Sequence, residues 1–198
     1  MKFMRMGIVY FIFIQLYLCL LAATVHASES VADEFVGKWV MPDGAALLEI
    51  IPVSNEERSI ISSSHRKLPQ RVAIYQIRLL ALRDPEFTSA DGDVPIGKMR
   101  TDIHNPEKAL RQHPLQGMIL GDGFYQQDDA LVGGKIYDPG SGNIYRAELK
   151  PTADGMLEVR GFLGISLFGR TMHWHRAEPF FARVTAMFSS EFEAILIQ

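Results

Sequence analysis

Cysteine is almost absent from this chain. The one present, Cys19, lies in an apolar run near the N terminus. Beyond that run no disulfide, thiolate nucleophile or cysteine-based metal site can form. Positive charge is scarce too: 20 Lys+Arg stand against 23 Asp+Glu, a formal net charge of −3. That balance argues against nucleic acid or an anionic membrane surface as a partner. There is no phosphate-binding loop, dinucleotide fingerprint, His-Glu-x-x-His pair or Gly-x-Ser-x-Gly elbow. Internal repeats and low-complexity stretches are missing as well. The residues imply no cofactor and no resident metal.

What is present begins with an export pattern at residues 1–27. Lys2 and Arg5 form a basic start, Gly7–Ala23 an apolar stretch, and Val25 and Ala27 flank a cleavage site after Ala27. The stretch is short for a membrane span, which needs roughly 20 apolar residues. Leu18 stands before Cys19 where a lipid-attachment site wants a small residue. The expectation is a secretory signal and a periplasmic or secreted protein with no membrane span after cleavage. Loss of Lys2 and Arg5 leaves the remainder with five excess negative charges.

The remainder alternates with a period of two. In "IYRAELK" Tyr145, Ala147 and Leu149 face one way, and Arg146, Glu148 and Lys150 the other. "MLEVRGF", "VAIYQIRLLAL", "ALLEIIPV" and "LQGMIL" read as further strands, separated by the turn signals "PDG", "YDPGSGN", "TADG" and "LFGR". Gly117, Gly161 and Gly164 inside these runs suggest bulges or bends. Seven or eight short strands without long helices between them indicate an antiparallel all-β fold, and a closed barrel and an open sandwich both fit. "DPGSGN" is too long for a two-residue hairpin turn.

Two segments break the pattern. The connection Asp84–Pro114 exceeds the usual loop length of about 4–6 residues. It carries a helix start, with Asn105 as cap and Pro106 behind it. At the C terminus Phe181, Val184, Phe188, Phe192 and Ile195 form one helical stripe over residues 178–198. That helix packs on the outside of the domain or meets a partner protein of the cell envelope.

Together "GKWV", "DIHNPEKALRQHPLQGMIL", "GGKIYDPGSGNIYRAEL" and "LEVRGFLGISLFGRTMHWHR" resemble the domain of unknown function family 2147, small exported bacterial proteins, from Phe35 to Arg176. The resemblance implies a small antiparallel lipocalin-like (calycin) barrel over residues 28–177; the short helix of the long loop and the C-terminal helix are read from the residues themselves, and the tail after Glu178 extends beyond the resemblance. It carries no settled activity. In such barrels a Gly-x-Trp on the first strand closes one end beneath an Arg of the last strand. Gly37, Trp39 and Arg176 are therefore expected to close the barrel. Some relatives carry a cysteine pair where this chain has Phe162 and a residue near Phe168, so the last hairpin holds by packing alone.

Three functional readings are open. The first is a barrel that binds a small, mainly apolar molecule, with Tyr75, Asp102, Asn105, Tyr137, Asp138, Tyr145, Arg160 and Trp174 as the ligand-facing set. The second is an envelope interaction module with a filled core, binding its partner through residues 178–198. The third is a hydrolase-like enzyme using Asp102 and His104, weaker because Asn105 and Asp102 also serve as ordinary loop-ordering residues. His173 and His175 share one strand face, set outward here opposite Trp174 and Arg176.

Overall fold

The computed structural model describes residues 34–54, 72–163 and 169–177. The chain divides into two units, residues 1–35 and 36–198, and the sheet belongs to the second. The expected signal (1–27), the C-terminal helix (178–198) and the bend at Gly164 lie outside the described residues.

Eight strands form a closed antiparallel barrel in chain order: β1 (Gly37–Val40), β2 (Ala46–Pro52), β3 (Ile74–Leu82), β4 (Ile119–Gln127), β5 (Ala130–Asp138), β6 (Asn143–Pro151), β7 (Leu157–Phe162) and β8 (Gly169–Arg176). Each strand pairs with its neighbour, and β1 returns to β8 through Trp39↔Arg176 and Val40↔His175. Closure decides between the two architectures left open by the periodicity, because it leaves no unpaired strand edge.

Period-two alternation and cross-strand register define the inner face. Trp39 lies opposite Leu48, which lies opposite Leu79; Gly37, Ile50, Ile77 and Gly121 form the next row. On the far wall Leu131, Leu149 and Val159 are level, followed by Met172 on β8. Trp39, Leu48, Ile50, Ile77, Leu79, Phe124, Leu131, Leu149, Leu157 and Val159 are all at most 2% exposed. A second buried cluster of Val40, Leu47, Ala81 and Ala177 gathers where β1, β2, β3 and the end of β8 meet. Alternation puts Val40 on the face opposite Trp39.

Closure is reinforced by one side chain. The Arg176 guanidinium lies 4.5 Å from the centroid of the Trp39 ring. Its Nη1 donates to the Val36 carbonyl at 2.9 Å, and the Ala177 N–H donates to the Lys38 carbonyl at 2.9 Å. A cation over an indole contributes roughly 0.5–2 kcal/mol. Here it joins the two strands that contribute the shortest pairing of the barrel.

Three local expectations change. "LQGMIL" is mostly a turn: Gly117 has φ +84°, its N–H donates to the Leu79 carbonyl, and β4 starts only at Ile119. Gly161 sits in regular ladder between Ala147 and Arg170, whereas Gly123 and Gly133 take the positive φ values (71° and 73°) near the register shifts of β4 and β5. No helix begins at Asn105. Its side chain instead accepts from the Glu107 N–H at 2.9 Å, and only a single 3₁₀ turn, Lys108–Leu110, follows. An Asx turn satisfies that donor locally and competes with continuing the helix. A second 3₁₀ turn, Ser89–Asp91, is capped by Thr88.

Glycines on the inner face differ in how tightly they are covered. A Cβ on Gly134 would come within 2.3 Å of the Phe124 ring, whereas one on Gly161 would find its nearest neighbour among the described residues at 3.8 Å. Gly134→Ala should cost about 1–3 kcal/mol by overpacking. Gly161→Ala should be neutral or gain up to roughly 1 kcal/mol from the stiffer strand. Urea unfolding of the two variants measures the contrast, and equal stabilities would contradict this packing.

Candidate functional site

The up-and-down meander sets the connections 41–45, 83–118 and 139–142 at one end of the barrel. The turns 128–129 and 152–156 lie at the other, where β1 begins and β8 ends. Along the inner face exposure rises toward the first end. On β8 Trp174 is buried, Met172 half-buried and Arg170 exposed; on β6 Leu149 and Ala147 are buried and Tyr145 half-buried. On β5 Leu131 and Gly134 are buried and Ile136 half-buried, and on β7 Leu157 and Val159 are buried and Gly161 half-buried. Four neighbouring strands thus describe an inner wall that is sealed at one end and reached by solvent at the other.

The wall is nearly free of charge. By register its charged side chains among the described residues are Arg176, Arg170 and, at the last position of β5, Asp138. Asp138 serves its own turn: its carboxylate accepts from the Gly140 N–H at 2.9 Å and from the Ser141 hydroxyl at 2.6 Å. Tyr75, opposite Phe124, is 3% exposed, and burial raises its phenol above the ordinary value. Trp174 is also 3% exposed, and its indole N–H has no hydrogen-bond partner among the described residues. A buried donor without an acceptor costs on the order of 1–3 kcal/mol.

Asp102 makes a separate centre. It is fully buried, and both carboxylate oxygens are taken: the Tyr137 hydroxyl donates to Oδ1 and the Asn105 amide to Oδ2, each at 2.6 Å. The Asp102 N–H donates to the His113 carbonyl, so a short ladder holds the loop on itself. Its side-chain partners are therefore the phenol and the amide rather than the backbone N–H groups expected of a loop-ordering Asp. Tyr137 alternates with Ile136 and so belongs to the outer face with Lys135, opposite exposed Ile144. Asp102, Asn105 and Tyr137 thus pin the long segment to the outside of β5. A Cβ on Gly142, at φ +72°, would reach 2.2 Å from the His104 carbonyl oxygen, so the β5–β6 turn supports the same segment. His104 is exposed, and no hydrogen bond joins it to Asp102 among the described residues.

Further along, Arg100 clamps Asp91 through two bonds of 2.7 and 2.9 Å and lies 5.4 Å from the Phe87 ring centroid. The bonds from Arg100 and the Thr88 N–H hold the Asp91 carboxyl down to about 2. The long segment is thus held in one ordered arrangement. The clamp residues carry no periodic signal that would have disclosed them.

The ligand-facing set expected from the sequence divides in two. Tyr75, Tyr145 and Trp174 share the inner face, with Asp138 at its rim. Asp102, Asn105 and Tyr137 form the loop latch, and Arg160 lies on the outer face, level with Glu148 and Thr171, 3.4 Å from the Thr171 hydroxyl. Arg170, on the same face of β8 as Trp174 and Arg176, is on the inner side. His173 pairs outward with Glu158 at 3.6 Å, a carboxylate brought by the neighbouring strand.

Comparison with known proteins bears on this geometry. A family model described as an uncharacterized protein conserved in bacteria, DUF2147, matches residues 37–176. No curated protein matches the chain. Among solved structures it is similar to HP1028 from the human pathogen Helicobacter pylori, described as belonging to the lipocalin family. The TM-score is 0.51 and the identity 17%, covering 75% of this chain and 87% of that one, a likeness of fold.

The latch has a pH signature. Burial first, and then the bond to the Asp102 carboxylate, push the Tyr137 phenol up to about 12 from 10.0. The folded state favours the neutral phenol, so this contribution is complete below about pH 10 and is lost as pH rises from 10 to 12. Urea unfolding at stepped pH should show a decline in that window that Tyr137→Phe reduces. At pH 7 the same variant should cost about 1–3 kcal/mol, because it leaves a buried carboxylate oxygen without its donor. Hydrogen exchange in residues 99–114 should rise with it.

Proposed function

Because the chain belongs to the DUF2147 family of uncharacterized bacterial proteins and folds as a closed lipocalin-like barrel, we propose that it binds a small, mainly apolar molecule inside that barrel. The observation that carries this reading is the graded inner wall, sealed at Trp174 and open at Tyr145, Met172 and Arg170. An apolar cleft with few polar groups and one open end is the usual form of a small-molecule site. The latched segment 83–118 orders the open end of the barrel, which lowers the ordering cost of binding there.

On this reading the protein is exported, cleaved after Ala27, and acts in the periplasm or outside the cell; the support is the pattern of residues 1–27. The hydrolase reading loses its basis, since both Asp102 oxygens are engaged in the latch. Binding of an envelope partner through residues 178–198 rests on the apolar stripe of that segment. Truncation after Glu178 separates the two: it removes a partner interaction and leaves a lumen ligand bound.

The neutral apolar fluorophore N-phenyl-1-naphthylamine tests the binding site. Its emission should rise saturably, at one molecule per chain, on titration with the full-length protein. Gly161→Val places a side chain in the half-buried part of the wall and should weaken the probe roughly tenfold, within an overpacking cost of about 1–3 kcal/mol. Lys135→Ala, on the outer face, should leave it unchanged. Absence of a saturable signal, or equal loss in both variants, would contradict a lumen site.

A further inference from the structure

The inner wall contains a polarity that an apolar ligand alone leaves unused. Arg170, Met172 and Trp174 alternate on one face of β8. At about 3.3 Å per residue, Arg170 and Trp174 lie roughly 13 Å apart along the strand. Arg170 is exposed at the mouth, and its side chain has no hydrogen bond or ion pair among the described residues. The two other charged groups of the wall are engaged, Arg176 with Trp39 and Val36, Asp138 with its own turn. The chain from β7 into β8, "LGISLF" (163–168), supplies no ionisable side chain. At the deep end the Trp174 N–H is a buried donor lacking an acceptor among the described residues. Between them the wall offers Met172, Val159 and Leu149, without a hydrogen-bonding side chain.

Building on the binding reading above, we infer that the ligand is an amphipathic monocarboxylate. Its carboxylate lies at Arg170, its apolar body runs inward along Met172, Val159 and Leu149, and an oxygen at its far end accepts the Trp174 N–H. The planar guanidinium fork matches a carboxylate through two parallel bonds. The single charge of Arg170 balances one negative charge. A dianionic phosphate would leave excess negative charge at the mouth of a chain that is already acidic overall. The deep donor favours a hydroxyl or carbonyl near the inner end over a plain hydrocarbon, because a site with an unpaired buried donor discriminates against ligands that cannot satisfy it.

Displacement of N-phenyl-1-naphthylamine from the full-length protein at pH 7 tests this with three probes: decanoate, decanol and 10-hydroxydecanoate. The expected result is that decanoate competes about fivefold better than decanol, a modest factor because Arg170 is exposed. Arg170→Gln should abolish that preference, and Arg170→Lys should restore part of it. The wild type should bind 10-hydroxydecanoate at least as tightly as decanoate, and Trp174→Phe should weaken the hydroxy acid severalfold more than decanoate. Equal competition by decanoate and decanol, or a preference unaffected by Arg170→Gln, overturns the carboxylate assignment while the fluorophore still reports a lumen site. Equal effects of Trp174→Phe on both acids overturn the role of its N–H. If the fluorophore itself fails to bind saturably, the lumen reading falls first and this inference with it.

Discussion

Closure of β1 onto β8 is the constraint on which the rest of this barrel depends. Two register pairs and one further backbone bond join these strands, fewer than at any other seam. Such a short ladder leaves much of the seam to side chains, and Arg176 meets that need in two ways at once. Its cation covers the Trp39 ring and its N–H reaches the Val36 carbonyl. An indole supplies the largest apolar area of any side chain together with a negatively polarised face. That combination explains a tryptophan so soon after the start of the domain: it fills one end of the core and gives the last strand something to hold.

With the seam closed, the inner face becomes a continuous surface whose character is set by register. Glycine appears where a large side chain on the next strand needs room, as Gly134 does beneath Phe124 and Gly121 beside Ile77. These pairs fill the barrel on the side of β3, β4 and β5. Among the described residues the opposite wall, with Ala147, Gly161 and half-buried Met172, is covered less tightly. Packing among the described residues therefore divides the interior into a tightly filled side at β3, β4 and β5 and a less tightly covered side at β6, β7 and β8.

The long segment 83–118 shows how an irregular stretch is made rigid without regular secondary structure. Buried Asp102 with two short bonds, the Arg100–Asp91 clamp and the close approach of Gly142 to His104 each fix one portion. Charge-assisted bonds of this kind are stronger than neutral ones and specific in direction. The segment is thus held in place against the outside of β5.

Much of the architecture was legible from the order of residues. Alternation in "IYRAELK" and "TMHWHR" assigns inward and outward faces directly, because a strand admits no other period. Turn residues located most strand ends, and family likeness linked Trp39 with Arg176. Strand β4 was hidden because its glycines break the alternation and its bulges shift the register. The roles of Asp102 and Tyr137, 35 residues apart, and of Glu158 facing His173 could not be read in advance, since contacts distant in sequence leave no local pattern. The face of Arg160 was decided only in three dimensions. A one-residue change of register reverses every side chain of a strand, and only pairing with β6 and β7 turned Arg160 outward and left Arg170 at the mouth.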